Sequence, residues 1–330
     1  MQPVVSSKKT TFGPAVLVTA AFIGPGTVVT ASIAGANFGY ALIWALVFSV
    51  FATMVLQEMS ARLGIVTGKG LGENLRLLVS SPWLRMPLML LVIAAIVIGN
   101  SAYQGGNISG AALGADALLA TSSAVQHWRE ISSLNPWALL IGTAAALVLW
   151  FGQYKLIEHC LIGLVLLMSL AFIGTMLLTK PDMAALIQGA VQPSIPSGAL
   201  LTVVALIGTT VVPYSLFLHA ASAAQKWPAA ELATDSALSA ARRDIAVAIP
   251  LGGLISIAIV STAATAFFGK SETLQNVSQL AQSLTPLFGS AATWCLALGM
   301  LAAAGGTWAV SRAMKKKQAR QGASGTTRTY

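Results

Sequence analysis

Eight apolar stretches, each long enough to cross a bilayer, fill most of this 330-residue chain. They fall near 14–33, 39–57, 86–119, 136–153, 158–178, 198–224, 245–268 and 287–310. A transmembrane helix needs about 20 apolar residues. The loops between these runs are too short to hide a soluble domain. The expected fold class is therefore all-α: a polytopic membrane protein with one transmembrane domain over 1–310. The third run is long enough to tilt or to project beyond the bilayer. Composition agrees, since 56% of residues are hydrophobic and 9% charged, whereas an average soluble domain carries about 25% charged residues. The first run follows Lys8 and Lys9 as a signal peptide would. Its membrane-spanning length, and the further spans behind it, mark it as a first membrane helix.

The charges sort by side. Of 19 lysines and arginines, 16 fall in one alternating set of loops and in the C-terminal tail. Only Arg129, Lys180 and Lys270 lie on the other side. The positive-inside rule then places both termini in the cytoplasm, and a bacterial inner membrane is the expected location. The net charge of +9 thus reflects topology, and no nucleic-acid partner is implied. The tail, 311–330, is basic and rich in Gly, Ser and Thr, and is expected to be disordered. Cys160 and Cys295 lie inside apolar runs with no CxxC or Cys/His cluster, which makes them buried thiols, not a zinc site or a disulfide.

Two spans carry breaks. Gly24-Pro25-Gly26 stands near the centre of the first, where Pro25 has no N–H for the Ala21 carbonyl. In the sixth, Gly208 and Pro213 bracket the centre, and Pro213 frees the Thr209 carbonyl. A lone carbonyl in hydrocarbon costs several kcal/mol, so such breaks are tolerated only against a cavity or protein interior. Five-helix inverted repeats place discontinuous helices at the first and sixth positions, with the substrate between them. The expected site is small and polar, built from Ala21, Gly24, Pro25, Gly26 and Thr27 on one side. Thr209, Thr210, Val212, Pro213 and Tyr214 supply the other.

"GPGTVVTASIAGANFGYALIW" (24–44) and "LQEMSARLGIVTGKGLGE" (56–73) resemble the first two helices of the Nramp divalent-metal transporters. "YKLIE" (154–158), "LIGTTVVPYSLFLH" (206–219) and "SLTPLFGSAATWCLALGMLAAAG" (283–305) resemble later parts of that family. The resemblance implies a LeuT-like inverted-repeat fold with discontinuous helices 1 and 6, working by alternating access. It also implies that the second repeat is incomplete here, because the family continues through about eleven helices and the text departs from its pattern around Gly305.

The family's ligands are replaced. Its first-helix Asp-Pro-Gly-Asn reads Gly24-Pro25-Gly26-Thr27. Its sixth-helix alanine, methionine and Pro-His read Thr209, Val212, Pro213 and Tyr214. Its third-helix Asp and Glu pair becomes Gln104 and Asn107, which share a helix face and cannot titrate. These two lie, with Asn100, in the polar stretch "GNSAYQGGN" (99–107), which together with His219 is expected to line a polar pathway. Glu58 and Glu158, at cytoplasmic ends, are expected to be structural.

The expected function is that of a divalent metal cation carrier with altered selectivity and weak or no proton coupling. Thr27 and Thr209 are the candidate metal ligands, and hydroxyls and carbonyls favour hard ions such as Mg²⁺. The alternatives are a carrier of a small organic solute such as an amino acid, since bare half-helix N-termini can hold a carboxylate, and a non-transporting truncated homologue. No cofactor is implied. Nothing resembles a nucleophile–base pair or a phosphate loop, so an enzyme is not expected.

Overall fold

The computed structural model describes residues 13–119, 127–128, 131–151, 169–228 and 233–269. The eighth expected span, the tail, the start of the fifth span, Glu158, His159 and both cysteines lie outside the described residues. Every regular element among the described residues is a helix. In chain order these are α1 (Pro14–Phe22), α2 (Pro25–Phe38), α3 (Ile43–Thr67), α4 (Leu71–Leu78) and α5 (Pro82–Leu119). Then come α6 (Pro136–Phe151), α7 (Ser169–Thr179), α8 (Met183–Val191), α9 (Leu200–Thr210), α10 (Pro213–Lys226) and α11 (Thr234–Phe267).

Proline opens five of these helices: α1, α2, α5, α6 and α10. At a first helical position its missing N–H would have had no partner, and its fixed φ already suits the helix. Glycine closes α3, where Gly68 adopts φ +65 and returns its N–H to the Gly64 carbonyl, the left-handed stop only glycine takes cheaply.

Two helices outrun their apolar stretches furthest. The second span, expected over 39–57, runs as α3 to Thr67. The seventh, expected from 245, begins as α11 at Thr234. Hydropathy marks only the part of a helix that sits in lipid. Beyond it the backbone stays helical because polar side chains pair along and between helices: Glu58 accepts from Arg62 one turn on, and from Arg242 of α11 at 2.9 Å. The third span runs as one 38-residue helix, α5, about 57 Å long at 1.5 Å per residue. After α7 the chain bends by 119° into α8, whose first turn is capped by Asp182 Oδ1 accepting from the Ala184 and Ala185 amides.

Four helical spans among the described residues are long and apolar enough to cross a membrane, or five if the bent pair α7–α8 is one span. The core joins α2, α3, α10 and α11, with α1 and α9 set against them. Lipid tails are as apolar as leucine, so close packing, not water exclusion, holds such helices together. Small residues make that possible. A Cβ on Gly35 of α2 would lie 2.2 Å from the Val260 carbonyl of α11, and one on Gly64 of α3 would lie 2.2 Å from the Ala220 carbonyl of α10.

Candidate functional site: two helix breaks joined by one tyrosine

The first break falls at Ile23–Gly24. Gly24 is extended (φ −112, ψ 174) and Pro25 begins α2. The carbonyl that takes partners there is that of Phe22, one residue after Ala21. It accepts the Thr27 hydroxyl at 2.6 Å, the Tyr103 hydroxyl at 2.8 Å and the Gly24 amide at 3.1 Å. Thr27 is fully buried. Its hydroxyl ties the start of α2 back to the end of α1, so the residue expected to face an ion also closes the break that it follows.

Asn107 of α5 seals the other side. It is fully buried, and its Oδ1 accepts the Gly26 amide at 3.2 Å. A Cβ on Gly24 would come within 2.5 Å of the same oxygen, so the glycine makes room for the amide. Of the expected polar-pathway residues, Asn107 reaches the break. Gln104 and Asn100 lie along α5 and are part-exposed.

The second break falls at Val211–Val212, where Val212 is extended (φ −104, ψ 121) and Pro213 begins α10. Gly208 stays helical inside α9. Pro213 brings no N–H to the Thr209 carbonyl, as expected from its chemistry. The Thr209 hydroxyl, half-buried, turns back to the Leu206 carbonyl at 2.8 Å, while Thr210, Val212 and Tyr214 are buried. The Val212 carbonyl is capped by the Ser215 hydroxyl at 2.6 Å.

Tyr103 joins the two breaks. Its hydroxyl is on the Phe22 carbonyl, and its ring meets that of Tyr214 edge-on, with centroids 6.0 Å apart. A second polar chain runs from the second break: Ser215 accepts from Gln57 Nε2 at 2.7 Å, and Gln57 Oε1 contacts His219 Nδ1 at 2.6 Å. His219 therefore connects to the break through Gln57 and Ser215, all three buried.

Sequence reasoning missed Tyr103 and Gln57 as site residues. Tyr103 had one signal, an aromatic hydroxyl inside the polar stretch 99–107. Gln57 had one too, a lone amide in an apolar run, which a membrane span retains only when the amide is partnered. Asp116 lies at the far end of α5, where Oδ2 accepts from Asn135 at 3.2 Å, and Asn135 caps α6. Glu58 holds arginines, the structural role expected of it.

Chemically, the breaks offer hydroxyl and carbonyl oxygens. No group of three or more His, Cys, Asp or Glu side chains that could hold a metal occurs among the described residues. Among the described residues, the donors named at the two breaks include neither a carboxylate nor a thioether.

Residues 15–319 match the family model described as natural resistance-associated macrophage protein-like, Nramp. The chain is 31% identical over 309 residues to the divalent metal cation transporter MntH of Yersinia pestis (strain Pestoides F), covering 92% of this chain and 70% of the relative. It is 30% identical over 313 residues to the MntH of Aeromonas hydrophila, covering 92% of this chain and 72% of that protein. Among solved structures, the manganese transporter of Eremococcus coleocola in complex with an aromatic bis-isothiourea substituted compound superposes with a TM-score of 0.70 at 21% identity. That match covers 92% of this chain and 65% of the transporter chain, so the chain spans about two thirds of that protein's length. The shared architecture is the LeuT-like transporter fold.

Proposed function

Because the chain belongs to the Nramp family, we propose that it carries a divalent metal cation across the membrane, binding it between the two helix breaks. The observation that carries this reading is the Tyr103 bridge, which brings the ends of α1 and α10 to one polar centre. Carrier folds of this type hold substrate at discontinuous helices and expose the site to each side in turn.

The same geometry narrows the substrate. Thr27 and Thr209 use their hydroxyl protons on backbone carbonyls, so each hydroxyl oxygen has only acceptor capacity left, which a cation can use and a hydrogen-bond acceptor cannot. The Gly26 amide is occupied by Asn107, and this disfavours a substrate carboxylate at the α2 N-terminus. With neutral Gln104 and Asn107 on α5, the site supplies no acid there to move a proton, so coupling to protons is weak or absent. Hard ions such as Mg²⁺ fit these oxygens better than soft ones. The basic ends of α3, α10 and α11 face the cytoplasm on the positive-inside rule, in a membrane of bacterial inner-membrane type.

The test is flux of Mg²⁺ and Mn²⁺ into liposomes containing the full chain, with calorimetry on the parent and on Thr27→Asp. Transport of either ion, insensitive to a proton gradient, is the expected result, and Thr27→Asp should raise Mn²⁺ affinity. Absence of flux for both ions, or thermal stabilisation by amino acids and not by metals, would overturn the reading.

A further inference from the structure

Away from the breaks, the far end of α1 is held by a group from a distant part of the chain. This nine-residue helix is joined to α2 through the unwound Ile23–Gly24. A helix that short makes few of its own bonds, and its first amides need partners from elsewhere. Gly13, at the cap position, has no side chain to offer, and Pro14 has no N–H. The first amide in need is that of Ala15. Asp244 Oδ2 of α11 accepts it at 2.9 Å, across 229 residues of sequence.

The fit around that carboxylate is tight. A Cβ on Gly13 would lie 1.9 Å from Asp244 Oδ2 and 2.0 Å from its Oδ1 and Cγ. Gly13 has an ordinary φ of −83, so what requires glycine here is the neighbour and not the backbone. A carboxylate at a helix N-terminus is also favoured by the helix dipole. Lys226, the last residue of α10, is near enough to Asp244 to interact with it electrostatically. Two residues back on α11, Arg242 pairs with Glu58 of α3. Residues two apart on a helix point to different neighbours, so this turn of α11 grips α3 with one side chain and α1 with the other.

We infer that Asp244 is a positioning residue, a latch that holds the N-terminal end of half-helix α1 against α11 and so resists opening of the basic side of the protein. Breaking this one contact frees α1 to pivot about Ile23–Gly24. Helix hinges of this kind absorb a motion at a few terminal residues. The consequence for alternating access rests on the transport reading, but the latch itself does not.

The experiment uses the full chain with Cys160→Ser and Cys295→Ser as background. A reporter, Val18→Cys, is placed on α1, where Val18 is fully buried, and a control, Ile259→Cys, on α11, where Ile259 is 1% exposed. Labelling by a membrane-impermeant maleimide is timed in nanodiscs. Asp244→Ala should speed labelling of the α1 reporter about tenfold or more, the shift expected from losing one charge-assisted hydrogen bond. Gly13→Ala, which displaces the carboxylate without altering it, should do the same. Asp244→Asn keeps an acceptor and should give a smaller rise. The control should not change in any of them. Unchanged labelling of the α1 reporter overturns the latch, as does equal acceleration at both reporters, which would mean general loosening. Metal flux of the parent is read separately: flux without a labelling response leaves the transport reading and removes the latch, and a labelling response without flux does the reverse.

Discussion

Gln57 of α3 and His219 of α10 meet at 2.6 Å between Oε1 and Nδ1, inside a fully buried contact between the two helices. An amide oxygen can only accept, so the histidine Nδ1 carries the proton, and the other Gln57 atom, Nε2, donates onward to Ser215. Ser215 in turn caps the Val212 carbonyl at the second break. One line of hydrogen bonds thus connects a histidine to the unwound backbone two turns away.

Removing one member strands the other. His219→Leu or Gln57→Leu should each lower stability by about 1–3 kcal/mol, the usual effect of leaving a buried polar group unsatisfied. The double variant should lose clearly less than the sum of the two, because neither orphan remains. Thermal unfolding of the four proteins in detergent forms the cycle, and strict additivity would show that the two side chains do not act together.

The Asn107 seal makes a paired prediction at the first break. Asn107→Leu removes the acceptor from the Gly26 amide, and Gly24→Ala forces a methyl to within 2.5 Å of the same oxygen. Both should lower metal flux severalfold while the protein stays folded, because both disturb the unwound backbone at the break. Stability should drop by about 1–3 kcal/mol in each. Flux equal to the parent in both variants would separate this break from the substrate path.

How much of this was legible beforehand varies with the kind of signal. The two breaks were, because proline and glycine act on the backbone wherever they stand. Helix ends were not, because α3 and α11 continue past their apolar stretches on polar pairing such as Glu58 with Arg242. Tyr103 and Gln57 were the harder cases. A single polar side chain in an apolar run has no periodic signature, and its meaning depends on a partner tens or hundreds of residues away: 81 for Tyr103 with Phe22, 162 for Gln57 with His219. Thr27 stood out beside the proline break, but its bond to the Phe22 carbonyl of its own broken helix appears only when the chain is folded.

Tyr103 and Thr27 share the Phe22 carbonyl, so their loss should not be additive. Tyr103→Phe keeps the ring contact with Tyr214 and removes one donor, with an expected effect of about 0.5–1.5 kcal/mol. Thr27→Val should have an effect of similar size. With both donors gone, that carbonyl keeps only the Gly24 amide, and the combined loss should exceed the sum of the singles. Unfolding measurements on the three variants decide it, and a double variant equal to the sum would mean that the two hydroxyls serve separate partners.

Glycines at the helix crossings should be the most sensitive small residues in the fold. Gly35→Ala and Gly64→Ala each place a Cβ 2.2 Å from a backbone carbonyl oxygen of the facing helix, and a carbonyl within a helix cannot swing aside as a side chain would. The helices must separate, which should lower stability by about 1–3 kcal/mol in each variant. Gly99→Ala and Gly105→Ala test the alternative that any glycine in a membrane helix matters. Both lie within α5 with nothing within 4 Å of the added methyl. Alanine is the better helix former by about 1 kcal/mol, so these two should be neutral or slightly stabilising. Thermal midpoints in one detergent give the comparison. If all four variants moved together, interhelical approach would not be what requires Gly35 and Gly64.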